Sequence, residues 1–293
     1  MSTPLESGGP AQRIHPQATF PTDLSPVIPS KPDDPPWGVL QALATWLLSV
    51  AFLVVVPQLL ALPYVAAHYP RGATRETLFA DKTFILVLVA GFLPAHALTL
   101  LLAWAMATRV GRLSAIEVLG LTRSRASEVW KSAGLAILLF VIAWVVAGTF
   151  GGQETDLEKI LLSSRAAALV TALVAVTTAP LVEEIIYRRL LYSALQRLIG
   201  RWFAVLIVAS VFAGMHVLQY RQNIGTILSI SLLSLTLTLV RARTGRLLPC
   251  FVIHLVFNGI QSLIIVFEPY LRALLERHDT GVGLASGLIR FVF

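Results

Sequence analysis

Seven apolar runs, set apart by polar or glycine-containing stretches, follow a polar leader in this 293-residue chain. They cover about residues 37–64, 84–108, 132–150, 165 into the 180s, 202–218, 224–240 and 247–267. Runs of this length and apolarity read as membrane-crossing helices. Pro57 and Pro63 are expected to kink or end the first. His96, beside Pro94 in the second, reads as a helix–helix hydrogen-bonding group. Gly151-Gly152 ends the third, and an acidic patch with Glu154, Asp156 and Glu158 follows. The fourth run continues to Ile199 and Gly200 closes it. As one straight helix its 35 residues would measure roughly 52 Å, against a bilayer core of about 30 Å. It must tilt and protrude, or break near Pro180 and continue as an amphipathic helix.

Composition supports the membrane reading. Hydrophobic residues make up 56% of the chain and charged residues 13%, where soluble domains carry about 25% charged; mean hydropathy is +0.76. The fold class is therefore all-α: a polytopic membrane helical bundle of about seven transmembrane helices, with the lipid bilayer as its first partner. Residues 1–36 hold nine of the sixteen prolines and read as a disordered cytoplasmic tail. They contain no apolar h-region, so no cleavable signal peptide is expected. Residues 37–164 supply the first helices and a basic loop at 109–131, read as interfacial. Residues 165–267 form the core that carries the chemistry, and 268–293 an interfacial tail too short to span. The net charge of +7 reads as loop charge, not nucleic-acid binding. More Lys and Arg fall in the tail, 109–131, 188–201 and 241–246 than opposite them, which puts the N-terminus in the cytoplasm and the protein in the cell membrane. The single cysteine, Cys250, allows no intramolecular disulfide and reads as a small buried side chain.

Three polar constellations interrupt the apolar runs. Glu183 and Glu184 follow the fourth, with Arg188 at i+4 from Glu184 in the favourable order for an intrahelical ion pair. Adjacent helical residues point about 100° apart, so Glu184 pairs with Arg188 while Glu183 faces a cavity. Taken alone, the pair could simply mark a helix end. His216 lies in the fifth run, four residues after Phe212 and on the same face. Glu183 is 17 residues before Gly200 and His216 is 16 after it, so a helical hairpin at Gly200 would bring both to one depth. His254 and Asn258 share a face of the last run, as either a contact between helices or part of a site.

Together these groups offer a carboxylate base, imidazoles and a carboxamide donor, enough to activate water and stabilise an oxyanion in peptide hydrolysis. Glu183 with His216 and His254 could equally hold a catalytic zinc ion, although no H-E-x-x-H is present. No G-x-S-x-G supports a serine nucleophile.

The series Glu183-Glu184-x-x-x-Arg188, Phe212-x-x-x-His216 and His254-x-x-x-Asn258, with the lead-in Arg243-Thr-Gly-Arg-Leu-Leu-Pro249, resembles the CAAX-prenyl-protease and bacteriocin-processing (abortive-infection) family of intramembrane proteases over about residues 165–267. The resemblance implies a membrane endopeptidase that cleaves a membrane-associated protein or peptide. It implies Glu183 as the base that activates water and His216 as a second hold on that water. His254 and Asn258 would stabilise the oxyanion, and Glu184 and Arg188 would orient the site. The family is described both as metal-dependent and as using a metal-free, glutamate-activated water, and zinc stays open as a cofactor. Alternatives are a non-proteolytic immunity or scaffold protein of the same fold, and a proton-coupled transporter.

Overall fold

The computed structural model describes residues 34–121, 125–150, 164–221 and 223–277; the body of the proline-rich tail and residues 278–293 lie outside them. Among the described residues every regular element is helical. In chain order these are α1 (Val39–His68), α2 (Arg75–Ala80), α3 (Lys82–Ala90), α4 (Phe92–Ala107), α5 (Ala115–Val118) and α6 (Ala126–Phe150). After 164 come α7 (Arg165–Val176), α8 (Thr178–Glu183), a π-helix (Glu184–Leu191), α9 (Tyr192–Ile199), α10 (Arg201–Tyr220), α11 (Ile224–Thr244) and α12 (Leu248–Arg277). Among the described residues six continuous stretches are long and apolar enough to cross a membrane, and Arg201–Val217 is a shorter apolar helix. The chain is an integral, multi-pass membrane protein.

Several boundaries differ from the sequence reading, each for a local reason. Neither Pro57 nor Pro63 ends α1, which runs on to His68. Pro57 is buried against the turn between α3 and α4, where a Cβ on Gly91 would stand 2.6 Å from the Pro57 Cα. Packing against a neighbour lets a proline-containing helix continue across. The fourth run is interrupted near Pro180, as one of the two expected outcomes had it. The interruption falls at Thr177, and Pro180 lies in the first turn of the helix that resumes, where a missing N–H is tolerated. The third helix starts at Ala126, not 132, and α12 continues past 267 to Arg277.

The 109–131 segment is not interfacial throughout. Val118 and Leu119 are buried, and the Val118 carbonyl accepts from Arg189 Nε at 2.6 Å. Residues 34–36, placed in the tail, are tied down. Arg197 pairs with Asp34 and donates to the Pro35 carbonyl, and Arg109 donates to that of Pro36. Arg188 and Arg189 are buried, so they are not loop charges and the Lys/Arg bias across the membrane narrows.

Contacts between elements run round the bundle and return to α1 through α9, which touches both α10 and α1. The helix α1 packs on α3 and α4, α3 on α7, α7 on α12, α12 on α6, α6 on α11 and α11 on α10. The π-helix touches α1, α4, α10 and α11 from within, and all eight of its residues are buried. Outward faces carry large apolar side chains such as Leu47, Val54, Val145, Trp202 and Leu206, while Thr45, Ser49, Ser132, Ser234 and Thr238 are buried. Polar groups inside and apolar groups outside are what a bilayer selects. Gly200, at φ +82°, turns α9 into α10 as the expected hairpin. Tyr187 and Phe212 meet across it, rings 5.1 Å apart.

Candidate active site

The site grows out of the π-helix. Glu184 and Arg188 are both 0% exposed, one helical turn apart, with Arg188 Nη1 3.2 Å from Glu184 Oε1. Buried charges persist only when paired and hydrogen-bonded. Arg188 Nη2 accordingly reaches α11, donating to Ser234 Oγ at 3.1 Å and to the Ser234 carbonyl at 3.4 Å. Its guanidinium also lies over the Phe212 ring, 4.4 Å from the centroid. One oxygen of the carboxylate, Glu184 Oε2, is buried without a hydrogen-bond partner.

His254, from α12, stands between the two carboxylates. Its Nδ1 is 2.8 Å from Glu184 Oε1 and its Nε2 is 3.7 Å from Glu183 Oε2. A carboxylate only accepts, so the contact to Glu184 puts a proton on Nδ1. In the neutral ring Nε2 then presents a lone pair toward Glu183. Helix geometry does send the carboxylates apart: the Glu184 side chain is 1% exposed and that of Glu183 is 23% exposed. One imidazole nevertheless reaches both, because its two nitrogens point in different directions.

His216 lies near this centre without closing on it. Its Nδ1 donates to the Phe212 carbonyl at 2.9 Å, which leaves Nε2 as the free nitrogen. Phe212 stands between the two imidazoles, its ring centroid 4.9 Å from that of His216 and 6.1 Å from that of His254. No hydrogen bond or ion pair joins His216 to Glu183. Asn258 donates from Nδ2 to the Ala175 carbonyl of α7 at 3.0 Å, tying α12 to α7 with one of its two N–H bonds. His96 contacts Thr178 Oγ1 at 2.8 Å, as a helix–helix bond.

By charge count, Arg241 belongs with the loop charges of segment 241–246. It lies instead in the last turn of α11, 1% exposed, and donates to the Arg188 carbonyl and to Ser193 Oγ, both at 3.2 Å. Its signal was its position one residue past an apolar run, which looks the same as a loop charge. Ser234 gave none, since serines are common in such runs.

A zinc ion held by Glu183, His216 and His254 would need three donors converging on one point. Among the described residues no group of three His, Cys, Asp or Glu side chains is so placed. The donor set does not fit a metal in this arrangement, and no step below is routed through one.

Residues 165–260 match the sequence model of the family described as "Type II CAAX prenyl endopeptidase Rce1-like". Over this region the chain is similar to the CAAX prenyl endopeptidase family. The match contains every polar group described above from Glu183 to Asn258. A relative in Bacillus subtilis (strain 168), "Putative membrane peptidase YdiL", is 29% identical over 167 residues, which is 55% of this chain. The matched stretch spans 65% of that relative's length. No solved structure matches the chain.

Proposed function

We propose that this protein is an intramembrane endopeptidase that hydrolyses a peptide bond in a membrane-associated protein or peptide. One observation carries the reading. The Glu183 carboxylate and the His254 Nε2 face each other at 3.7 Å. Two acceptors at that separation need a shared hydrogen, and a polar gap beyond 3.5 Å suits a bridging water. A water beside the gap can donate one O–H to each. Glu183 takes its proton as general base while the oxygen attacks the scissile carbonyl carbon. The C–O bond forms, the C–N bond then breaks, and the proton returns through Glu183 to the departing amine. Glu184 holds His254 in one tautomer and orientation, and Arg188 holds Glu184. The second N–H of Asn258 remains to donate to the oxyanion, and the Nε2 of His216 to accept from the water. Even without the buried Arg188, Arg189 and Arg241, the Lys/Arg bias favours a cytoplasmic N-terminus.

The test is Glu183→Gln, which keeps size and removes the base. Purified protein in proteoliposomes is given a quenched fluorescent peptide in two forms, with and without a C-terminal prenyl group. Glu183→Gln is expected to lose about 10²–10⁴-fold in kcat with unchanged thermal stability. Wild-type turnover retained in the variant would sink the role of Glu183. About one metal ion per purified chain, lost in a His216→Ala/His254→Ala double variant, would instead support zinc.

A further inference from the structure

The π-helix sets up a hydrogen-bonding problem at its exit. In π-spacing each N–H bonds the carbonyl five residues back, and in α-spacing four back. The Tyr192 N–H bonds the Tyr187 carbonyl, a five-residue step. With α9 beginning at Tyr192, α-spacing from Ser193 falls on the Arg189 carbonyl. The count passes over one carbonyl, that of Arg188, in the interior of a membrane protein where no water competes to satisfy it.

Arg241 fills that place. Its Nε donates to the Arg188 carbonyl at 3.2 Å, and its Nη2 reaches Ser193 Oγ, also at 3.2 Å. Its guanidinium lies over the Tyr192 ring, 5.6 Å from the centroid. The bonds therefore bracket the transition, with Arg188 on its π side and Ser193 on its α side. The return contact comes from Arg188 itself, whose side chain bonds Ser234 two helical turns before Arg241 on the same face of α11. The π-helix and α11 hold each other at two levels, one through each arginine.

We infer that Arg241 is a positioning residue for the Glu183–Glu184–His254 centre: it caps the carbonyl that the π-to-α exit passes over and so holds the register that presents Glu184 to His254. The functional part rests on the endopeptidase reading; the structural part does not. The guanidinium is suited to this task because it sends directed N–H bonds from a rigid plane, which an ammonium cannot reproduce.

The experiment compares Arg241→Lys, which keeps the charge, with Arg241→Met, which keeps bulk alone. Both are purified in full-length form and assayed in proteoliposomes with the same quenched peptide. Both are expected to lose about 10²-fold in kcat, the scale of an ångström-sized misplacement, with KM within about twofold. Backbone amide exchange at residues 192–196 is expected to quicken in both, while α6 stays as in wild type. Wild-type kcat in Arg241→Lys would overturn the inference, since charge alone would then suffice. A raised KM at normal kcat, or unchanged exchange at 192–196, would overturn it too. Ser193→Ala removes one anchor with little change in volume. It should show the same pattern at about a tenth of the size, and it serves if the Arg241 variants do not fold. If the wild type cleaves neither peptide form, the endopeptidase reading is in trouble, while the exchange arm still decides whether Arg241 holds the π-helix.

Discussion

Two long membrane helices of this protein follow opposite rules. The first, α1, carries two internal prolines and still runs unbroken for 30 residues. The Glu-bearing segment, Arg165–Ile199, has its one proline in the harmless first turn of α8 yet departs from α-helical geometry over eight residues. Their surroundings account for the difference. Most of α1 faces outward, with Leu47, Val54 and Leu59 exposed, and lipid neither donates nor accepts hydrogen bonds, so α1 keeps regular α-spacing apart from the two N–H donors that Pro57 and Pro63 lack. The π-helix is buried on every side. Trp37 Nε1 donates to the Leu190 carbonyl at 3.2 Å and Arg241 to that of Arg188. Side chains from two other parts of the chain complete its backbone, and this lets the helix depart from α-spacing. Irregular geometry in a membrane is bought by neighbours, and here it coincides with the candidate chemistry, as π-segments often do.

The sharpest way to break that contrast is Glu184→Gln. It keeps the shape of the core and leaves Arg188 buried without its carboxylate. Removing one partner of a buried ion pair costs about 3–5 kcal/mol, which should appear as a large fall in stability in unfolding from mixed micelles. The matched change on the lipid face of α1, Val54→Ala, should stay within about 0.5 kcal/mol. Equal effects at the two positions would mean that the π-helix is no more tightly built than α1.

A smaller effect tests the proline side of the comparison. Gly91→Ala places a methyl group 2.6 Å from the Pro57 Cα and 3.0 Å from its Cβ. Backbone must shift, at about 1–3 kcal/mol for overpacking of this kind. Gly134→Ala and Gly148→Ala meet open space within α6 and should change stability by no more than about 0.5 kcal/mol. Should Gly91→Ala prove as harmless as those two, Pro57 is not what seats α1 on the α3–α4 turn.

How much of this was legible follows the same line. Charges inside apolar runs announce themselves, so Glu183, Glu184, Arg188 and His254 stood out in the sequence, as did the hairpin at Gly200. Helix periodicity also separated the directions of the two carboxylates. It could not show that one imidazole would span them, because that depends on how α12 approaches the π-helix. The π-helix itself was invisible: an i−5 bond leaves no mark in an eight-residue stretch buried on every side. Arg241 was hidden at the end of its run, and Asn258 aims at a carbonyl of α7 that only the packing reveals. The 109–131 segment looked like a loop by charge count, yet supplies the acceptor that the buried Arg189 needs.

The smallest predicted effect lies where α1 hands over to α3, at the edge of the membrane. Asp81 Oδ2 accepts from the hydroxyls of Tyr64 and Tyr69, each at 2.8 Å, and Oδ1 accepts from the Thr83 and Phe84 N–H groups that open α3. Burial by itself would raise this carboxyl, but the hydroxyl and backbone donors outweigh it and hold it at about 2, below the ordinary 3.8. A group depressed on folding stabilises the fold above its unfolded value and loses that contribution as pH falls through its folded value. The Asp81 contribution is therefore complete above about pH 4 and disappears toward about pH 2. Thermal unfolding of wild type and Asp81→Asn should differ by a constant amount from pH 7 to about pH 4, with wild type the more stable, and the two should converge as the pH approaches 2. A difference that persists unchanged at the acid end would show that the tyrosines, not the carboxylate charge, hold the end of α1 to the start of α3.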